Sequence, residues 1–414
     1  MAASVLTKED LWDLVVGGSA IATGGGGTGP TREQFDAYVD PILESGAQPS
    51  LLDPGELDDD AMVYMEVGAG GGVTRADRER YLSPGIAGWW RRDINRTQWI
   101  RDRLDEYDNL YPVGSWAEPP DEGWNEQIDQ RMAELHGAEP DAHLIFEIGP
   151  NVFRSMLAAA QKGNPLIDAD IAGYRAVPEV SLCSFNIHGV PAQPVLFASA
   201  WGDVIVLERV ISWQRMEDIG RHLAVVSGGG VRGLMAFDGE TVREKTFSGT
   251  VSKALEVGRA IRAARESGRD VAQAVADITD GHVLFRGTVL ARLNEDHTAF
   301  IWGTERILGT GEWKGQTFKI WYKNENHMSW IDDAPFVMSP DLITVIDPET
   351  GYGLSNFDSP AWDYGREVAV LGAPCHPLWR SERGLRIFHP ARWGFACDYT
   401  PIDEAVAKVQ GGSG

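Results

Sequence analysis

The sequence predicts an α/β domain with a mostly parallel sheet followed by a β-rich domain, and three observations predict it. Up to Pro178, strand-like apolar segments alternate with helical ones and glycine turns. Beyond Glu179, strand-like runs follow one another with one convincing helix among them. The 414 residues are 43% hydrophobic and 24% charged, which is ordinary globular composition with enough apolar material for a sizeable core. The expected boundaries are 1–178 for the α/β domain, with an insertion at 79–123, 179–405 for the β-rich domain, and 406–414 as a tail or linker.

Thr7 and Asp10 have the spacing of a capping box, and Leu6 and Leu11 that of a hydrophobic staple, so a helix starts there. Gly17-Gly18 is expected to end it. The glycine run Gly24–Gly27 with Thr28, Gly29 and Pro30 follows, and Thr31 with Gln34 caps a second helix ending near Gly46. Ser50–Leu52, Met62–Val67, His143–Ile148 and Pro165–Asp168 read as strands, and Val152–Gln161 as a helix. In the second half Val195–Ala200, Asp203–Ile211, Val283–Leu293, Thr298–Ile307, Thr317–Tyr322, Leu342–Ile346 and Val368–Leu371 read as strands. Asn294–His297 reads as a hairpin connection, and Ser248–Glu266 as the helix. The insertion holds Trp89, Trp90, Trp99 and Trp116. A loop this long is a lid or binding element, and the size of indole favours packing against the body or a second subunit.

Acids number 61 and bases 37, a net charge of −24. That surplus argues against wrapping nucleic acid or coating an anionic membrane, both of which need clustered positive charge. No apolar run reaches the ~18 residues of a membrane span. Met1–Val16 lacks a basic segment followed by an apolar one, so no secretory signal is expected. Cys183, Cys375 and Cys397 are too few and too scattered for a disulfide framework. A cytoplasmic protein acting on a small molecule is the expectation, with no nucleic-acid or membrane partner.

Three constellations can carry chemistry. The glycine run ahead of a helix leaves backbone N–H groups free for an anion or oxyanion, which nominates Gly25, Gly26, Gly27 and Thr28. It lacks the lysine of a phosphate loop and the strand of a dinucleotide fingerprint. Asp168 and Asp170, two apart at a strand end, are expected to face one side at the carboxyl edge of the sheet, where open α/β sheets keep their ligands. Two close acids push their pKa values apart, so one serves as acid and one as base, or both hold a divalent metal. Arg175 and Glu179 follow and can steer a substrate and orient the acids. Asn324, Glu325, Asn326 and His327 place amide, carboxylate and imidazole groups together, a set able to read a ring with alternating donors and acceptors, and Asp341 is a further candidate. No His-x-x-x-His spacing and no Gly-x-Ser-x-Gly elbow occurs. Cys375-His376 has the pairing of a reactive thiol, yet sits between Pro374 and Pro377 as in a structural turn.

Several phrases together resemble one family. Ala22–Gly27, Asn164–Asp170 followed by Gly173, Arg175, Pro178 and Glu179, Ser248–Ala254, Asn324–Asn326, Pro340–Ile343, Tyr364-Gly365 and Pro377–Trp379 are similar, in order along the chain, to the DUF917 family. Its named members are S-methyl thiohydantoin desulfurases. The resemblance implies a second domain of swivelling type, activity on five-membered cyclic ureides or thiohydantoins, and motif residues lining a cleft between the domains. The 79–123 insertion is longer than the family pattern, and Ile171-Ala172 stands where a glycine-containing pair is expected, so the substrate can differ while the scaffold stays.

The expected function is therefore hydrolysis or desulfuration of a small cyclic amide, amidine or thioamide. Asp168, Asp170 and Glu179 are the expected acid–base groups. The amides of Gly25–Thr28 bind the oxyanion, and Arg175, Asn324, Glu325 and Asp341 hold the substrate. A homo-oligomer is expected. The alternative is a non-catalytic partner subunit of a hydantoinase- or oxoprolinase-type enzyme.

Overall fold

The protein is described here from a computed structural model, which covers residues 3–70, 74, 124–192, 194–199, 203–227, 229–297 and 299–411. The expected tryptophan-rich insertion at 79–123 lies outside the described residues. Among them no helix is long and apolar enough to cross a membrane.

The strands in chain order are β1 (Ser4–Val5), β2 (Ser50–Leu52), β3 (Met62–Gly70), β4 (Ala142–Ile145), β5 (Leu166–Ile167), β6 (Ala169–Asp170), β7 (Val195–Ser199), β8 (Val204–Leu207), β9 (Gly230–Asp238) and β10 (Phe247–Ser248). They continue with β11 (His282–His297), β12 (Phe300–Gly309), β13 (Thr317–Lys323), β14 (Glu325–Ile331), β15 (Ala334–Met338), β16 (Leu342–Ile346) and β17 (Glu367–Ala373). The first sheet runs β1-β2-β5-β4-β3-β9-β7-β8. Its core, β2-β5-β4-β3, is parallel, as expected from strands alternating with helices. β9, β7 and β8 extend it antiparallel. The second sheet, β15-β14-β13-β12-β11-β17-β16, is antiparallel throughout. The α/β half with a parallel core and the β-rich half are thus both present.

The change of sheet falls later than the expected 178/179 boundary. β7, β8 and β9 belong to the first sheet, and the second begins at His282. Alternating apolar residues mark a strand but not the sheet it joins, so a boundary drawn where strands become dense comes too early. The expected tail is also partly ordered, because a helix spans Ile402–Gly411.

Local signals held where the chemistry is local. Thr7 and Asp10 form the capping box, and so do Thr31 and Gln34. Where packing decides, they did not. The first helix runs through Gly17 and Gly18 to Ile21. It crosses the helix Thr250–Ser267, and a Cβ on Gly17 would stand 1.9 Å from Ala254 O, while one on Gly258 would stand 1.9 Å from Asp13 O. These glycines permit backbone contact between two helices and end neither of them. Asn294–His297, expected as a hairpin connection, is the end of β11, and the chain reverses after it, with Ala299 at φ 56°.

Gly17→Ala and Gly258→Ala are each expected to cost about 1–3 kcal/mol, the usual range for overpacking a tight contact. Urea unfolding of each variant against the parent measures this, with the midpoint moving down and the slope unchanged.

Candidate functional site

A cavity of about 410 Å³ lies where the glycine run, the strand end after β4, the helix Trp213–Val226 and the β13–β14 turn meet. Gly26 and Gly27, Glu147, Arg221, Asn324 and Glu325 line it, with Phe146, Val177, Val180 and Phe357 as apolar wall.

The glycine run takes an irregular path, with positive φ at Thr23, Gly24, Gly26 and Gly27. Its carbonyls face the scaffold. Thr23 O accepts from Asn326 N at 2.8 Å, and Gly24 O from Asn356 N at 2.8 Å. Gly26 O accepts from Asn151 Nδ2 at 3.2 Å, and Gly27 O from Ser355 Oγ at 3.2 Å. With the carbonyls engaged, the N–H groups of Gly26, Gly27 and Thr28 meet no acceptor among the described residues. Gly25 lies flat against Glu325: a Cβ there would stand 1.8 Å from Glu325 Oε1.

The cavity's carboxyl groups are Glu147 and Glu325. Glu147 accepts the Val177 N–H at 2.8 Å. Burial pushes its pKa up to about 8 against the pull of that hydrogen bond and of Arg221 and Arg175. Burial also holds Glu325 well above the usual carboxylate range, reinforced by the charge of Glu147. Two desolvated carboxyls, the charge of one opposing the ionisation of the other, both hold their protons at neutral pH. Arg221 donates to Glu217, Gly70 O, Pro178 O and Ala299 O.

The expected pair Asp168 and Asp170 does not line this cavity. The chain changes sheets at Asp168, since β5 belongs to the first sheet and β6 pairs with β10. The two-residue alternation on which a shared face rested is broken there. Asp168 accepts from Ser252 N at 2.8 Å and Ser252 Oγ at 2.5 Å, anchoring the first turn of the helix Thr250–Ser267. Asp170 is wholly buried and accepts the N–H groups of Ala172, Gly173 and Tyr174. Burial lifts its pKa to about 7 despite those bonds.

Glu179 is likewise outside the cavity. It lines an adjoining one of about 350 Å³ that shares Arg221 as a wall. Burial would raise its pKa, but Lys323 at 2.6 Å and Arg392 outweigh it and hold the group at about 2. Arg175, expected on a substrate carboxylate, is fully buried and donates to Pro340 O at 2.6 Å and Ala176 O at 3.1 Å. Asp341 accepts from Cys375 N, Arg380, Tyr399 and Ile402 N, so it ties the end of the chain to β16 and does not meet the cavity. Burial pushes the Cys375 thiol up to about 12, too high for a reactive thiolate near neutral pH. Gly26, Gly27, Asn324 and Glu325 are brought together as the sequence suggests. Asn324 serves with its backbone at φ 57° while its Oδ1 accepts the Ile301 N–H at 2.9 Å.

Two cavity residues were missed. Glu147 stands just past a buried parallel strand and ahead of Gly149-Pro150. The edge rule applied to Asp168 would have found it. Arg221 sits inside a helix with no local signal. Among the described residues, no group of three or more His, Cys, Asp or Glu side chains gathers as a metal site.

Fold and cavity together define a protein built on two large sheets, with a carboxyl pair under a glycine loop. The S-Me-THD-like N-terminal domain model matches residues 117–209, and the S-Me-THD-like C-terminal domain model matches 211–402. The chain belongs to the S-Me-THD-like family. A crystal structure of a protein from Chromobacterium violaceum is similar with a TM-score of 0.67 and 21% identity, covering 97% of this chain and 100% of that one, which shows a shared fold. No curated protein matches.

Glu179 binds its proton more weakly folded than unfolded, so its contribution to stability is present above the ordinary glutamate pKa of 4.5 and is lost as pH falls towards about 2. Glu179→Gln is expected to flatten the fall of stability across that window. Denaturant unfolding at a series of pH values checks it.

Proposed function

We propose that the protein is an enzyme that opens or desulfurates a small cyclic amide, amidine or thioamide, with Glu147 and Glu325 as its acid–base pair. The observation that carries this reading is the placement of two carboxyls, Glu325 buried and Glu147 half-buried, at one cavity beside amide N–H groups that no acceptor among the described residues takes. Membership of the S-Me-THD-like family supports the cyclic substrate class.

The chemistry follows from the proton count. Glu147, whose pKa burial raises less far than that of Glu325, ionises more readily and takes a proton from the attacking water. The water oxygen bonds to the ring carbon, and charge grows on the atom doubly bonded to it. The N–H groups of Gly26, Gly27 and Thr28 receive that charge without reorganising, because their carbonyls are already pinned. Glu325 gives its proton to the departing nitrogen or sulfur as that bond breaks. Phe146, Val177, Val180 and Phe357 exclude bulk water, which strengthens each of these interactions. A subunit serving only as a partner has no use for a desolvated carboxyl pair, which favours the enzymatic reading over the accessory one.

A panel of cyclic ureides and thiohydantoins, assayed for ring opening and for released sulfur, tests the proposal. On a responsive substrate Glu147→Gln and Glu325→Gln are each expected to lower kcat by about 100-fold or more. Asp168→Asn is expected to lower stability and leave kcat near the parent value. Equal loss in all three variants, or none in the glutamate variants, refutes the assignment.

The rate is also expected to rise with pH through a midpoint near 8. Below that value Glu147 holds its proton and cannot accept another. A kcat profile between pH 5 and 9, with the midpoint absent in Glu147→Gln, checks it.

A further inference from the structure

His327 belongs to the motif that supplies Glu325, yet no step above uses it. The histidine, Glu325 and Arg175 are all buried, at 0%, 3% and 0% exposure. Each presents one buried polar atom without a partner among the described residues: His327 Nδ1, Glu325 Oε2 and Arg175 Nη2.

The three side chains share one neighbourhood. Ser339 N donates to His327 O at 2.8 Å, and the carbonyl of the next residue, Pro340, accepts Arg175 Nη1 at 2.6 Å. The Phe388 ring lies 4.8 Å from Arg175 Cζ and 6.0 Å from the centre of the His327 ring, so one wall serves both. Among the charged neighbours of Arg175, Glu325 acts on it most strongly. The arginine acts in turn on both Glu325 and His327.

Their hydrogen-bonding capacities are complementary to a single molecule. His327 Nε2 faces the Lys323 carbonyl at 3.3 Å. A carbonyl only accepts, so Nε2 carries the hydrogen and Nδ1 offers a lone pair. Arg175 Nη2 can only donate, and Glu325 Oε2 can accept. One donor and two acceptors are what a water molecule satisfies, accepting once and donating twice.

We propose that Arg175, Glu325 and His327 bind one buried water, and that this water holds the Glu325 carboxyl with Oε1 turned towards Gly25. Arg175 and His327 are then positioning residues that act through the water. The site's consequence for turnover rests on Glu325 being an acid of the reaction. The water itself does not.

High-resolution crystal structures of the full chain as wild type, His327→Gln and His327→Phe test this, together with ¹³C NMR titration of glutamate-labelled protein, Glu325 being assigned with Glu325→Gln. The expected result is one ordered water within hydrogen-bond reach of all three atoms in wild type and in His327→Gln, whose amide oxygen restores an acceptor. His327→Phe is expected to lose the water and to shift the Glu325 midpoint upward, because the charged form loses solvation. The charges facing Glu325 from neighbouring elements, Glu147, Arg175 and Arg221, are the same in these variants. A wild-type map with no water there, or with Arg175 bonded directly to Glu325, overturns the proposal. So does a folded His327→Phe with an unmoved carboxyl and midpoint. Should His327→Phe not fold, the wild-type and His327→Gln maps decide. A confirmed water in a protein that turns over no ring upholds this inference and counts against the proposed function alone.

Discussion

The contact between the glycine run and the β13–β14 turn is the constraint on which the rest of the structure depends. Asn326 N to Thr23 O and Asn356 N to Gly24 O fasten the run of one half to the sheet of the other. The fit is close enough that Gly25 admits no side chain beside Glu325. Two halves of the chain, more than 300 residues apart along it, become one wall of one cavity. Because the carbonyls do the fastening, the N–H groups of Gly26 and Gly27, two residues of the cavity lining, are left without an acceptor among the described residues.

Beneath that contact lies an unusual density of buried ionisable groups. Asp170 and Glu325 are buried carboxyls and Glu147 is a half-buried one, and the guanidinium groups of Arg175 and Arg221 act on the two glutamates. Burying charge is costly unless it is paired or neutralised. The protein uses both remedies. Glu179 is kept ionised by Lys323 and Arg392, whereas Glu147 and Glu325 are left without such a partner and retain protons. One set of acids therefore holds the structure together, and the other is left with a titration that chemistry can use.

That Glu147 lines the cavity and the two aspartates do not has a definite physical origin. Asp168 and Asp170 carry the local pattern of a catalytic pair, two acids at a strand end. That pattern presumes one continuous strand, and here the chain passes from one sheet to another between them. Glu147 carries the same mark with less emphasis, a single acid past a buried strand. Asn324 and Glu325 were legible because a tight turn that displays polar groups is itself a local feature. Arg221 was not, since an arginine within a helix looks alike whether it faces water or a cavity.

The amino-acid sequence by itself determined the short-range structure. Both capping boxes, the parallel core strands and the long antiparallel run follow from side chains interacting with backbone a few residues away, or from the alternation of apolar positions. It also carried the glycine run and the turn motif that the cavity uses. The tertiary structure alone decided which glycines end a helix and which let two helices touch, where one sheet gives way to the next, and which acids share a cavity. Those outcomes depend on what a residue meets across the fold, and desolvation and close packing come only from neighbours that the chain brings together when it closes.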